Sequence, residues 1–244
     1  MKCLVILAAG ENSLHEQWDL RPYKDVIVDI LILQKRKESP KEHQLSQKSP
    51  RDDNTLLQGN PKWSTVKHAL PEYNSLIKTY DYLWIPDDDI QFTKACKIAQ
   101  MVYFANKHKL YISQPALVGN EYHRIILASG DKKTINYEYF VDSSCPIIKQ
   151  DFFEDVVLNI LLNDNSSSSW GIDIVWSVFC VRMYGPKSLG IMNQFTIEHI
   201  KEPHVFEIES YRKKIREYYH NIEKHGIPVN VKIRPVDLKY LDFY

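Results

Sequence analysis

The chain has 244 residues, which is enough for one large domain with a full hydrophobic core. Hydrophobic residues make up 44% and charged residues 25%, so collagen-like, low-complexity and coiled-coil chains are excluded. The 31 basic residues balance 31 acidic residues, and this zero net charge argues against a dedicated nucleic-acid-binding protein. We expect a single domain over residues 1–244.

The first half of the chain alternates between strand-like and helix-like patterns. Continuous apolar runs predict buried strands at residues 3–9 and 26–33. Residues 34–54 contain almost no apolar side chains and predict a mobile surface loop. Pro61 is expected to begin a helix that extends to residue 78, and Thr93 is expected to cap a second helix that extends to residue 107. Strands are expected at 80–86 and 110–113. This order predicts an α/β fold with an open sheet flanked by helices.

The second half predicts further strands and helices. Residues 124–128 and 135–141 are an expected strand pair around a turn at 129–131, and residues 150–162 are an expected helix. A polar loop at 163–169 leads into Trp170, Gly171 and a helix to residue 183, and a late strand is expected at 189–197. A charged helical extension is expected from residue 205, with its helix over 207–224. Its Lys, Arg and Tyr residues would suit a membrane surface or an acidic glycan, and a solvated helix is the alternative.

The cysteines and the N-terminal run bear on the cellular compartment. The four cysteines form no CxxC pair and are expected to be reduced core thiols. The first apolar run is too short to span a membrane and lacks a signal-peptide cleavage pattern. We therefore expect a cytoplasmic protein without a transmembrane segment.

Three adjacent acids, Asp87, Asp88 and Asp89, directly follow the expected strand at 80–86. In open α/β sheets, ligands bind at the carboxyl ends of strands, so this is where a site is expected. Adjacent carboxylates repel one another unless a cation or hydrogen-bond donors compensate, and such oxygens suit Mg²⁺ or Mn²⁺ bridging a diphosphate. The alternative is a solvated acidic turn that caps the next helix.

Three further residues carry candidate chemistry. Asp173 could act as a general base toward a hydroxyl group, or it could merely complement a helix dipole. His199 could complete a carboxylate metal site or be a structural hydrogen-bonding residue. Lys62, at an expected helix start, could bind a phosphate or be solvated.

Six short blocks of the chain occur in the same order in a known family. They are SLHEQW (13–18), PKW (61–63), YDYLWIPDDDI (80–90), ISQPAL (112–117), WGID (170–173) and EH (198–199). In these blocks the chain resembles GT-A-like glycosyltransferase domains, namely the bacterial and viral members and the related plant proteins of unknown function. The resemblance extends from residue 2 to residue 205 and implies a GT-A-like, Rossmann-like open mixed sheet flanked by helices.

The resemblance also implies a reaction and a set of site residues. The reaction is sugar transfer from a nucleotide-diphospho-sugar, with a UDP-sugar favoured over a GDP- or dTDP-sugar, to a glycan hydroxyl group. Asp89 and His199 would hold Mn²⁺ or Mg²⁺, and Asp173 would be the base of an inverting displacement. The residues implied at the donor site are Ala8, Ala9, Gly10, Lys62, Asp87 and Asp88.

One block departs from this family. Ser143-Ser144-Cys145-Pro146 stands where relatives tend to have a Glu-Met-Ala-Pro-like sequence. That block is expected to border the sugar pocket, so the identity of the donor sugar and of the acceptor does not transfer. The polar loop at 163–169, next to Asp173, is expected to close over the bound donor and exclude water.

Two other functions remain open from the sequence. The opening LVILAAGENS is similar to that of sugar-phosphate nucleotidyltransferases, but the second glycine after Gly10 is absent and Arg21 comes too late for their motif. A non-enzymatic carbohydrate-binding domain is the second alternative. Such a domain would not need three carboxylates and a histidine around a metal ion.

Overall fold

The computed structural model describes residues 1–34, 62–118, 134–137, 140–163 and 172–200. Apart from Gln34 and Asn163, the predicted loops at 34–54 and 163–169 lie outside these ranges. The same holds for Pro61, the strand at 124–128, the turn at 129–131, Trp170, Gly171 and the extension from residue 205. Those predictions therefore stay predictions.

Eight strands and five α-helices are assigned in the described residues. The strands are β1 (Lys2–Ala9), β2 (Ile27–Gln34), β3 (Tyr82–Trp84), β4 (Ile90–Phe92), β5 (Ile112–Leu117), β6 (Ile135–Asn136), β7 (Ile147–Lys149) and β8 (Leu189–His199). The helices are α1 (Lys62–Ile77), α2 (Ile98–Lys107), α3 (Gln150–Phe152), α4 (Leu158–Asn163) and α5 (Ile172–Tyr184). A π-helical turn at Phe153–Val157 joins α3 to α4, and a short 3₁₀ helix covers His15–Gln17.

These strands form one mixed sheet with the order β2-β1-β3-β7-β5-β8-β4, and β6 pairs with β8. β1 is parallel to β2 and β3, and β5 is parallel to β8. β7 is antiparallel to β3 and β5, and β4 is antiparallel to β8. β1 is buried from Cys3 to Ala9, as its continuous apolar run predicts for a strand covered on both faces. The predicted fold class, an open mixed α/β sheet flanked by helices, is confirmed.

Several predicted boundaries are wrong. Thr93 does not cap α2, because that helix begins at Ile98 and the side-chain oxygen of Gln100 accepts the N–H of Lys97 at 3.0 Å. The Thr93 hydroxyl instead contacts that of Thr196 on β8. The strand predicted over 135–141 is only β6, since the chain beyond Asn136 makes no ladder in the described residues. β4 and β7, of three residues each, are too short for a periodic pattern to predict.

The helix α5 lies deep in the core. Eight of its residues are buried, and they include Asp173 among apolar neighbours. Cys3, Cys145 and Cys180 are buried free thiols as predicted, whereas the free thiol of Cys96 is only partly buried. In the part of the chain that is described, no helix has both the length and the apolar run that crossing a membrane requires.

Candidate metal centre and active site

The three adjacent acids follow β3 and point to different partners. Asp88 is 7% exposed, and its carboxylate accepts the N–H of Gly10 at 2.6 Å. Its carbonyl accepts the N–H of Leu14 at 2.7 Å. Asp88 therefore ties the turn after β1 to the turn after β3. Ala8 and Ala9 are buried at the end of β1, next to this connection.

Asp87, Asp89 and His199 come together at the same edge of the sheet. Their candidate ligand atoms all lie within 4.8 Å of one another. His199 Nε2 lies 3.0 Å from Asp89 Oδ1 and 3.5 Å from Asp87 Oδ2. Two carboxylates and an imidazole are a ligand set that suits Mn²⁺, Mg²⁺ or Zn²⁺. The cluster can therefore hold a divalent metal ion, whose identity the geometry does not specify.

Pairing between β4 and β8 positions the histidine. Ile90, the first residue of β4, lies opposite His199, the last residue of β8. The carbonyl of Asp89 accepts the N–H of Ile200 at 3.2 Å. The hydrogen bond with Asp89 raises the pKa of His199, burial opposes this shift, and the charges of Asp87 and Asp89 add to it. The two carboxylates therefore favour a cation at this position.

Lys62, the first described residue of α1, is turned inward. It is 9% exposed, and its Nζ lies 2.8 Å from Asp87 Oδ1. The ammonium also donates to the carbonyls of Ile85 at 3.2 Å and Ser144 at 2.9 Å, and to that of Ser143. It is therefore a buried cation beside the cluster of Asp87, Asp89 and His199, rather than the solvated lysine of the alternative interpretation.

Residues 141–145 are held in place by hydrogen bonds to their backbone carbonyls, and we call them the 141–145 segment. Three buried tryptophans donate their indole N–H groups to its carbonyls: Trp63 to Ser143 at 3.3 Å, Trp84 to Cys145 at 3.2 Å and Trp176 to Val141 at 3.0 Å. The N–H of Asp87 donates to the Ser144 carbonyl at 2.6 Å. Helices α1 and α5 and strand β3 thus all hold this segment beside the acidic cluster.

Asp173 lies on the face of α5 that meets this segment. Trp176 and Ser177, three and four residues further on, bond the carbonyl and the N–H of Val141, as expected for one helix face. Asp173 is 6% exposed, and its Oδ1 accepts the N–H of Ile174 at 2.9 Å. Burial, followed by the charge of Asp142, raises the pKa of Asp173 to about 8.

A chain of contacts links Asp173 to the cluster of Asp87, Asp89 and His199. The N–H of Ser143 stabilises the Asp173 carboxylate, and the Ser143 carbonyl accepts a hydrogen bond from Lys62. Lys62 in turn contacts Asp87. The structure therefore connects Lys62, Asp87, Asp89, Asp173 and His199, and Asp88 bonds to Gly10. Their roles toward a nucleotide-sugar stay predictions.

The three tryptophans that donate to the 141–145 segment were not predicted as part of the site. The tryptophans Trp63, Trp84 and Trp176 act on backbone carbonyls, and no residue-type pattern marks such acceptors in a sequence. The PKW and YLWIP blocks place two of them next to Lys62 and the three acids, and this adjacency is the signal that could have indicated them.

Comparisons with known proteins add little. No protein-family model matches the chain, and no curated protein matches it. Among solved structures, the crystal structure of A197 from STIV is similar, with 13% sequence identity, a TM-score of 0.44, and coverage of 82% of this chain and 86% of that chain. A likeness this distant carries no conclusion about the function.

Proposed function

We propose that this chain is a metal-dependent glycosyltransferase. The observation that supports it is the cluster of Asp87, Asp89 and His199 after a buried strand, with the buried carboxyl group of Asp173 linked to it through the 141–145 segment. We propose a nucleotide-diphospho-sugar donor, with a UDP-sugar favoured, and a glycan hydroxyl acceptor, on the resemblance of the six sequence blocks.

The cluster would hold Mn²⁺ or Mg²⁺. When bound, such an ion neutralises the charge that develops on a leaving diphosphate. The buried side of the centre is Asp89, at 6% side-chain exposure, while Asp87 at 27% and His199 at 22% border solvent. A ligand would therefore approach from the side of Asp87 and His199.

Asp173 suits the role of the base in an inverting displacement. Its pKa is raised by burial, so once deprotonated it binds a proton more strongly than an exposed carboxylate does. The N–H groups of Ile174 and Ser143 fix the orientation of its carboxylate. It would accept the proton of the attacking hydroxyl group and keep it in a site from which water is largely excluded.

The test is calorimetric titration of UDP, GDP and dTDP with and without Mn²⁺. We expect one nucleotide to bind in a Mn²⁺-dependent way to the wild type, and the Asp89→Ala variant to lose that binding while keeping its fold. Asp155→Ala is the matched control because Asp155 is an exposed carboxylate on the π-helical turn, outside the cluster. If no nucleoside diphosphate binds under any condition, the proposed donor class is wrong.

Product analysis separates the proposal from the nucleotidyltransferase alternative. A glycosyltransferase releases a nucleoside diphosphate, whereas a nucleotidyltransferase forms pyrophosphate from a nucleoside triphosphate and a sugar phosphate. We expect Asp173→Asn to retain donor affinity and to lose turnover. A non-enzymatic carbohydrate-binding domain would show neither product.

A further inference from the structure

The ammonium group of Lys62 has more acceptors around it than it has N–H groups. It carries three N–H groups, and the carboxylate of Asp87 and the carbonyls of Ile85, Ser143 and Ser144 all lie within hydrogen-bond distance. The side chain is 8% exposed. Its hydrogen-bonding capacity is thus used inside the protein, which differs from the phosphate-binding role that its position at an expected helix start suggested.

Lys62 and a bound metal ion would share one carboxylate. Lys62 contacts Oδ1 of Asp87, whereas His199 lies beside Oδ2 of the same group. One oxygen of Asp87 therefore faces the ammonium group of Lys62 at 2.8 Å, and the other faces the imidazole of His199 at 3.5 Å.

We infer that Lys62 is a built-in counter-cation of the metal centre, which holds Asp87 and the 141–145 segment in place without a metal ion and weakens the binding of a free divalent cation. The inference rests on the proposed metal centre and makes Lys62 a positioning residue. Lys62 offsets one of the two ligand carboxylate charges, so a divalent ion binds best when an anionic ligand accompanies it.

The first variants remove the charge of Lys62. We would titrate MnCl₂ into the full chain at about pH 8, where histidine is ordinarily neutral, without nucleotide. Lys62→Met keeps the length of the side chain, and Lys62→Gln keeps a donor group. Both should bind Mn²⁺ about tenfold or more tightly than the wild type, because a nearby positive charge has been removed. Lys62→Arg, which keeps the charge, should retain the wild-type affinity.

The matched control is Lys78→Met. Lys78 lies just beyond α1 and also pairs with a carboxylate, that of Glu154, but this pair is exposed and far along the helix from the cluster. The control variant should bind Mn²⁺ as the wild type does. Thermal unfolding is the second readout: the neutral Lys62 variants should be less stable without Mn²⁺ and should gain more stability from Mn²⁺ than the wild type.

The outcomes separate the inference from the proposed function. If the wild type binds no Mn²⁺, the metal centre and the inference both fail. If the wild type binds Mn²⁺ but the folded neutral variants bind it equally or more weakly, the inference alone is overturned. Loss of UDP affinity with unchanged Mn²⁺ affinity would show a phosphate-binding lysine instead. Neutral variants that do not fold, and that Mn²⁺ does not restore, would also overturn the counter-cation role.

Discussion

Replacing Asp173 with asparagine tests whether its buried carboxyl group destabilises the fold. Burial and the charge of Asp142 raise its pKa to about 8, whereas in the unfolded chain the ordinary value is about 3.9. Between about pH 4 and pH 8 the folded protein therefore keeps a proton that the unfolded chain releases. The free energy of unfolding must then fall as pH rises through this window, by at most about 1.4 kcal/mol per pH unit.

The size of the effect follows from the width of the window. Four pH units at that slope give a ceiling of about 5 kcal/mol. Asparagine cannot ionise, but its side-chain oxygen can still accept the N–H of Ile174. We expect Asp173→Asn to be more stable than the wild type by about 2 kcal/mol or more at pH 8, and about equally stable near pH 4.

Urea unfolding at a series of pH values measures this difference. Asp155→Asn is the control, because Asp155 is exposed and its replacement should leave the pH dependence of the wild type unchanged. A variant at Asp173 that is less stable than the wild type at every pH, or that keeps the full wild-type slope, would refute the reasoning. In that case the hydrogen bonds of the Asp173 carboxylate would compensate for its burial, and the carboxylate would not destabilise the fold.

Three further changes have expected outcomes. Gly10→Ala should lower the free energy of unfolding by about 1–2 kcal/mol in urea titrations, because the new Cβ would lie 2.9 Å from Asp88 Oδ2. If the Gly10→Ala variant were as stable as the wild type, the Asp88 side chain would have to move away at no cost in free energy. Trp84→Phe should cost about 1–3 kcal/mol in the same assay, since it leaves the buried Cys145 carbonyl without its indole donor. Mn²⁺ at about 100 times its Kd should raise the free energy of unfolding by about 2.7 kcal/mol in thermal scans. Asp89→Asn should remove this gain, and a gain that persists would place the ion elsewhere.

The long elements could be predicted from the sequence because each carries its own pattern. The apolar run of β1 and the spacing of inward residues in α1 need no information from distant parts of the chain. β4 and β7 were missed because three residues define no period, and their pairing partners lie far away in sequence. The late strand was expected to end at Ile197, and it continues to His199 because β4 pairs with it.

The candidate site was predictable where the chemistry lies in side chains. Three adjacent acids after an apolar strand indicated a metal site, and the resemblance implied Asp89 and His199 as its ligands. Asp87, which was expected at the donor, also lies in the cluster. The inward position of Lys62 was not indicated, because its partners are mostly backbone carbonyls and every residue has one of these. The three indole donors to the 141–145 segment could not be predicted for the same reason, because their acceptors are also backbone carbonyls.

The contacts that hold the 143–146 block are made largely to its backbone. Lys62, Trp63 and Trp84 hold the carbonyls of Ser143, Ser144 and Cys145, and a carbonyl group is present whatever the side chain. The block can therefore change its side chains while keeping its position between the acidic cluster and Asp173. Changes there are expected to alter which ligand fits the site more than they alter the arrangement of Asp87, Asp89 and His199.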